Sequence, residues 1–271
     1  MTLLDERAGD VSDITAEEVM ASHFTLVSQP GAIEAIAVDG VEGWTSPNPH
    51  PALSLICWTT DDPGEAAAAL ERVTERFRTE GRGFDWMTCP RCDHSGLVSL
   101  LEDQGFINPP LQIAAMVKRI EPHGKPQPPD GVHIWKVDEI ADKRIWCVMA
   151  QGFDVPDDVA EIFHNAYANP SKLQRTEIYA AAVDGSDTPV GVGYLSYIGD
   201  GPSVLLRVSC TLEGNRGRGI YSAVVKRRLH DAARAGRTQA FVHAYSEESR
   251  RCLEHLGFSC VGTLQLHRWR P

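Results

Sequence analysis

The sequence predicts an α/β (strictly α+β) chain of two similar domains, and three observations lead there. Apolar, β-branched runs of strand length take turns with stretches whose apolar residues recur at helical spacing. The order strand, helix, strand, helix, Gly-Phe, strand occurs twice. Leu101-Glu102-x-x-Gly105-Phe106 returns 152 residues later as Leu253-Glu254-x-x-Gly257-Phe258, and Leu111-Gln112-Ile113 is paralleled by Leu264-Gln265-Leu266 with one residue inserted. Between the copies, four prolines and two glycines in residues 120–131 have the composition of a semi-rigid linker. The division that follows is 1–120, a proline-rich linker over 121–131, and 132–271.

Taken in order, Thr2 to Asp13 is polar and acidic and reads as a fraying end, followed by a helix over Ile14 to Leu26 with Thr15 as its cap. Ala32 to Val41 alternates as a strand. The three prolines of Gly43 to Pro51 argue against regular structure there. Leu53 to Trp58 is a strand, Glu65 to Thr79 a helix with Leu70, Val73 and Phe77 in phase, and Phe84 to Thr88 a strand. Leu97 to Gln104 is a short helix, with Asp93 or Ser95 placed to cap it. In the second copy Val132 to Val137 is a strand, Asp138 to Gly152 a helix capped by Asp138, and Pro156 to Ala168 a second helix. Strands follow over Ile178 to Val183, Val190 to Ile198 and Val204 to Leu212, then a helix over Tyr221 to Arg234, in which Val225, Leu229, Ala232 and Ala233 share one face. Ala240 to Ala244 and Leu264 to Trp269 are the last strands, with a helix between them that Ser246 can cap.

Composition bounds the function. With 26 basic against 37 acidic residues the net charge is −11, which argues against non-specific nucleic-acid binding and suits cationic small molecules. No apolar run approaches the roughly 18 residues of a membrane span, and Met1 to Asp10 lacks signal-peptide character. Seven cysteines read as reduced thiols, which points to the cytoplasm. Cys89-Pro90-Arg91-Cys92-Asp93-His94 offers three metal ligands without a second cysteine pair, so no metal is expected.

The most informative stretch is Val208 to Ala223, a strand running through a glycine- and arginine-rich turn into a helix. Gly217 and Gly219 permit a tight bend and close approach of a ligand. The helix start offers unpaired N–H groups, and Arg216 and Arg218 add positive charge, which suits a phosphate or pyrophosphate. The first copy has Thr59-Thr60-Asp61-Asp62-Pro63-Gly64 at the corresponding place, acidic where the second is basic. Neither a G-x-G-x-x-G after a first strand nor a G-K-[ST] loop is present.

Arg216-Gly217-Arg218-Gly219-Ile220-Tyr221 resembles the [QR]-x-x-G-x-[GA] motif of the GCN5-related N-acetyltransferases, with Tyr221 where Gly or Ala is usual. Ala244 to Phe258, ending in Leu-Gly-Phe, resembles that family's second motif. The resemblance implies two domains of this kind, each a mixed, mostly antiparallel sheet flanked by helices, the first a degenerate copy without the usual cofactor site. It implies acetyl-CoA as co-substrate, held by Cys210, Thr211, Leu212, Arg216, Gly217, Arg218, Gly219, Ile220, Tyr221 and Ser222, and a strand before the turn that splays from its neighbour. Direct transfer in a ternary complex makes Cys210 an unneeded nucleophile. The family's frequent tyrosine acid falls at Leu253, which cannot donate a proton; Tyr245 or water stands in, and Cys252 is more often core at such a position.

An alkyl ammonium must lose a proton before it attacks, so a base is useful near neutral pH. Glu213 lies nearest the reacting end in sequence, with Glu177, His164 and His243 as further candidates for binding the substrate. The expected reaction is transfer of acetyl to a primary amine of a small molecule, of amino-sugar or aminoglycoside type, with antibiotic modification as one role. Acetylation of protein lysines or amino termini, and a non-catalytic CoA-binding sensor, are the alternatives. A monomer or homodimer is expected.

Overall fold

Parallel strands need a crossover helix, and antiparallel ones can turn directly; both kinds of connection build the sheet of this chain. The computed structural model describes residues 18–19, 31–58, 62–88, 96–139, 141–168 and 174–271. The expectation for 2–13, most of the helix expected over 14–26, most of the acidic turn, and the Cys89 to His94 segment lie outside those residues; Glu18 and Val19 are helical.

The first half supplies strands β1 (Glu34–Ala35), β2 (Val41–Thr45) and β3 (Leu55–Trp58), helix α1 (Pro63–Thr79), β4 (Phe84–Thr88), α2 (Leu97–Asp103) and the long β5 (Ile107–Arg119). The second supplies β6 (Val132–Lys136), α3 (Lys143–Phe153), α4 (Asp157–Ala168), β7 (Gln174–Val183), β8 (Gly191–Ile198), β9 (Ser203–Thr211), α5 (Ile220–Arg234), β10 (Gln239–Ala244), α6 (Glu247–His255) and β11 (Ser259–Trp269).

Three local expectations need correction. The strand expected over 32–41 breaks at the Asp39-Gly40 turn, and pairing resumes at Val41 and runs through Thr45, into the stretch expected to be irregular. The prolines begin only after Ser46, so they do not block it. The helix expected from Asp138 begins at Lys143, because Asp142 rather than Asp138 accepts the hydrogen bond from the Arg144 N–H (3.0 Å). Helix α2 is entered through Gly96, at φ 97; the caps expected at Asp93 or Ser95 lie outside the described residues. The cap expected at Ser246 is present, its hydroxyl accepting from the Ser249 N–H at 3.2 Å.

Among the described residues one eleven-stranded sheet runs in the order β1-β2-β3-β4-β11-β5-β10-β9-β8-β7-β6. The two halves repeat a unit, β3-α1-β4-α2-β5 and β9-α5-β10-α6-β11, in which the first two strands pair in parallel around their helix. Each unit then gives its last strand to the other half. Strand β11 pairs with β4, β5 pairs with β10, and the two long strands pair antiparallel in the middle. The halves are therefore joined by continuous backbone hydrogen bonding.

The first-half core wraps β4 with Phe77, Phe84, Trp86, Phe106 and Trp269, the last carried in by the exchanged strand. In the second half α3 and α4 cover one face through Ile145, Val148, Ala160 and Tyr194, and α5 and α6 cover the other through Val225, Leu229 and Leu253. Among the described residues no helix is long and apolar enough to cross a membrane.

Asp85, 2% exposed on β4, accepts two hydrogen bonds from Arg268 on β11 at 2.7 and 2.8 Å. Removing the guanidinium would leave a buried carboxylate without its counter-charge. Arg268→Ala is expected to destabilise the chain by on the order of 3 kcal/mol in chemical denaturation, with Asp85→Asn/Arg268→Ala less destabilised than the single variant.

Candidate active site

The site begins where two parallel strands part. Strands β9 and β10 are in register from Ser203 opposite Gln239 to Leu206 opposite Val242, and the pairing ends there. Beyond that point β9 stays with β8, with Cys210 opposite Val192 and Thr211 opposite Gly191, while β10 stays with β5, with His243 opposite Ala115. The backbone edges of residues 207–211 and 243–244 thus diverge and open a cleft.

A bulge turns β9 at the same point. Between Arg207 and Cys210 it carries two residues, Val208 and Ser209, against the single Gly193 of β8. Val208 has φ 46, a left-handed conformation that β-branched residues rarely adopt. The bulge is held from α5 by Arg228, fully buried, which donates to the carbonyls of Tyr194 (3.0 Å) and Arg207 (3.3 Å) and to the Ser209 hydroxyl (2.8 Å). Gly193 makes room for it, since a Cβ there would lie 2.9 Å from the guanidinium carbon. Burial pushes Arg228 down to about 10, so it remains charged at neutral pH.

At the end of β9 the chain passes through a single 3-10 turn, Glu213–Asn215, and enters α5 through Gly217 and Gly219, at φ 75 and 74. No side chain caps α5. The first N–H to bond back is that of Ala223, to Gly219 O at 3.0 Å, which leaves the N–H groups of Ile220, Tyr221 and Ser222 without carbonyl partners inside the helix. Arg216 is exposed and donates to Thr211 O at 3.3 Å. The buried Thr211 hydroxyl has no hydrogen-bond partner among the described residues. Arg218 is engaged with Asp184 at 3.0 to 3.2 Å across the β7–β8 turn. The first half contrasts sharply. At the start of α1 the Asp62 carboxylate accepts from the Gly64 and Glu65 N–H groups at 2.8 and 2.9 Å, so the corresponding helix end already carries an anion.

The cleft has two chemically different sides. On the α3/α4 side stand Arg207, Tyr167, His243 and Tyr245, with the Arg207 guanidinium 5.1 Å from the Tyr167 ring centre. Burial, reinforced by the Arg207 charge, pushes His243 down to about 3, so its imidazole is neutral at neutral pH. Burial also pushes the Tyr245 hydroxyl up, with Tyr167 and Asp85 adding to it. On the α5/α6 side the Tyr221 hydroxyl meets Ser249 Oγ at 2.9 Å and Ser222 Oγ meets Cys252 Sγ at 3.1 Å.

Other residues singled out in the sequence lie elsewhere. Glu177 faces α5 and is saturated: Lys136 and Arg175 donate to one carboxylate oxygen at 2.7 Å each, and Tyr179 (2.8 Å) and Tyr197 (3.2 Å) to the other. His164 is fully buried between α3, α4 and β8, its Nδ1 2.6 Å from the Tyr194 hydroxyl. The Cys210 side chain turns toward Val148 O (3.5 Å), and burial pushes its thiol up to about 12, which fits a packed thiol rather than a nucleophile. Ile220 is core and Ser222 faces α6, so both can offer only backbone groups to the cleft. Glu213 is exposed at the mouth. Arg207, Tyr167 and Arg228 escaped the sequence reading. A signal for Arg228 existed, an arginine beside Val224, Val225 and Leu229 on the inward face of a helix. Among the described residues no group of three His, Cys, Asp or Glu could hold a metal.

Burial works to raise the Glu177 carboxyl, but the hydrogen bonds from Lys136 and Tyr179 and the charges of Lys136 and Arg175 outweigh it and hold it below the usual range. Its folded pKa is thus below the unfolded one. The resulting stability is complete above the unfolded value and is lost as pH falls through the folded value. Glu177→Gln is expected to cost on the order of 2 kcal/mol at neutral pH, with the gap to the parent narrowing in acid unfolding curves.

No protein-family model matches the sequence, and no curated protein does. Solved structures do. The GCN5-related N-acetyltransferase from Kribbella flavida aligns with a TM-score of 0.69 at 17% identity, over 95% of this chain and 96% of that one. The GCN5-related N-acetyltransferase from Sphaerobacter thermophilus gives 0.63 at 16%, over 96% and 87%. A tandem GNAT protein from the clavulanic acid biosynthesis pathway gives 0.60 at 13%, over 95% and 97%. Across nearly its whole length, this chain has the fold of the GCN5-related N-acetyltransferases.

Proposed function

We propose that the chain transfers acetyl from acetyl-CoA directly to a primary amine of a small molecule. The observation that carries this reading is the cleft opened by β9 and β10, which leads straight to the uncapped start of α5. An extended thioester arm can pair with the freed β9 backbone at Cys210, Thr211 and Leu212. The diphosphate then meets the N–H groups of residues 217–222, with Arg216 beside it. In that reading 132–271 is the catalytic unit, joined by 121–131 to a degenerate copy. Asp62 supports the difference between the copies, because its carboxylate occupies the N–H groups that a diphosphate would need.

The residues at hand account for the reaction as follows. The acetyl carbonyl is polarised by a β9 amide near the bulge, where the tetrahedral oxyanion gains its charge. Glu213, exposed beyond the arm-binding residues at the diphosphate end, receives the ammonium proton through water. His243 is a poor base with its pKa held so low. The amine approaches from the side of Tyr167, Arg207 and Tyr245, and an acceptor of amino-sugar type is in keeping with the glucosamine N-acetyltransferase region among the structural neighbours. The bound CoA would supply the acyl group as a thioester; the chain supplies position and charge.

The test is incubation with acetyl-CoA and a panel of amino sugars, aminoglycosides, polyamines and peptides, with mass spectrometry of each acceptor. Acetylated small amines are expected. Acetylation confined to peptides would favour the protein-directed alternative, and CoA binding without turnover the sensor. Arg216→Glu is expected to weaken CoA binding tenfold or more, about 1.4 kcal/mol. Calorimetry should give a stoichiometry of one CoA per chain. Glu213→Gln is expected to lower kcat about a hundredfold with CoA binding unchanged.

A further inference from the structure

Breaking the thioester leaves a thiolate, and a proton donor on the sulfur side would speed its departure. Leu253, where the family resemblance would put a tyrosine, is fully buried in the core. Tyr245 and His243 stand on the opposite side of the cleft, with Arg207 and Tyr167. The α5/α6 side has another phenol. Tyr221, on the first turn of α5, extends to the first turn of α6, where its hydroxyl lies 2.9 Å from Ser249 Oγ. Ser209, the bulge residue of β9, accepts from the buried Arg228 guanidinium at 2.8 Å. Two side-chain bridges, Tyr221–Ser249 between α5 and α6 and Arg228–Ser209 between α5 and β9, therefore stand where β9 leaves β10.

We infer that Tyr221 is the proton donor to the departing CoA thiolate, a role that Leu253 of α6 cannot fill; the inference rests on the acetyl-transfer reading above. The amine nitrogen bonds to the acetyl carbon, the carbon–sulfur bond breaks, and its electron pair leaves with sulfur. The Tyr221 O–H gives its proton to that sulfur. The phenolate recovers a proton from solvent, which has received the one lost by the amine. Two features of the site favour this. Burial raises Tyr221, so the phenol keeps its proton at neutral pH, while the hydrogen bond with Ser249 and the Arg228 charge oppose that rise and stabilise the transient phenolate. The hydroxyl is also held by Ser249, which fixes its direction. A large side chain at the motif position where Gly or Ala is usual thus places a functional group in the cleft.

The experiment compares the parent, Tyr221→Phe and a form with difluorotyrosine at 221, on acetyl-CoA and the amine that the parent acetylates. Tyr221→Phe is expected to lower kcat about a hundredfold while the amine KM and the CoA Kd stay unchanged. Difluorotyrosine keeps the packing but has a more acidic phenol, and is expected to shift the alkaline limb of the kcat profile to lower pH. A purely structural role would not move that limb, and the substitution remains decisive if the phenylalanine variant fails to fold. Unchanged kcat in Tyr221→Phe, a loss confined to CoA affinity, or an unmoved limb would overturn the inference and leave the acetyl-transfer reading standing. A parent that binds CoA but acetylates no amine would overturn both.

Discussion

The buried guanidinium of Arg228 holds together the part of this molecule where the cleft opens. A parallel pair such as β9 and β10 would ordinarily stay hydrogen-bonded along its length. Here an extra residue in β9 throws the strand off its partner, and the carbonyls that the distortion exposes need donors. Arg228 provides them from α5, through a gap that exists because position 193 has no side chain. A buried carbonyl left without a donor costs free energy comparable to a lost hydrogen bond, so helix, bulge and glycine form one unit. The cleft is the outcome of that unit. The strained φ of Val208 is its local cost, tolerated because the surrounding packing determines it.

The cleft inherits its two-sidedness from the helices that flank the sheet. On one side the buried Arg207 of β9 meets Tyr167 of α4, with His243 of β10 and Tyr245 just past its end beside them. On the other, short polar side chains from α5 and α6 meet over β9. In the proposed reading, a thioester lying between the strands would present its carbonyl carbon to one environment and its sulfur to the other.

The first half repeats the framework and stabilises the second. Its own strands β3 and β4 are parallel partners crossed by α1, but Asp62 folds back onto the helix start. Its main structural contribution is the exchange of β5 for β11, which makes each half complete only in the presence of the other. Trp269, delivered by the exchanged strand, packs against Phe84 and donates to Gln104 O at 2.9 Å. The buried Asp85–Arg268 pair seals the same junction.

Much of this was legible in the residues themselves. Local patterns placed β4, α1, α4 and α5 within a few positions, because periodicity and caps are short-range signals. The turn at 216–219 was legible as a tight entry to a helix, and Gly217 and Gly219 take positive φ there. Ser246 was recognisable as a cap from its place before Glu247 and Glu248. Tertiary structure decided what depends on residues far apart in sequence: the exchange of β5 and β11, the partners that saturate Glu177, and the burial of His164. Whether a carboxylate or an imidazole is free for chemistry depends on which donors and acceptors converge on it. That convergence is a property of packing, and no local pattern in the chain encodes it.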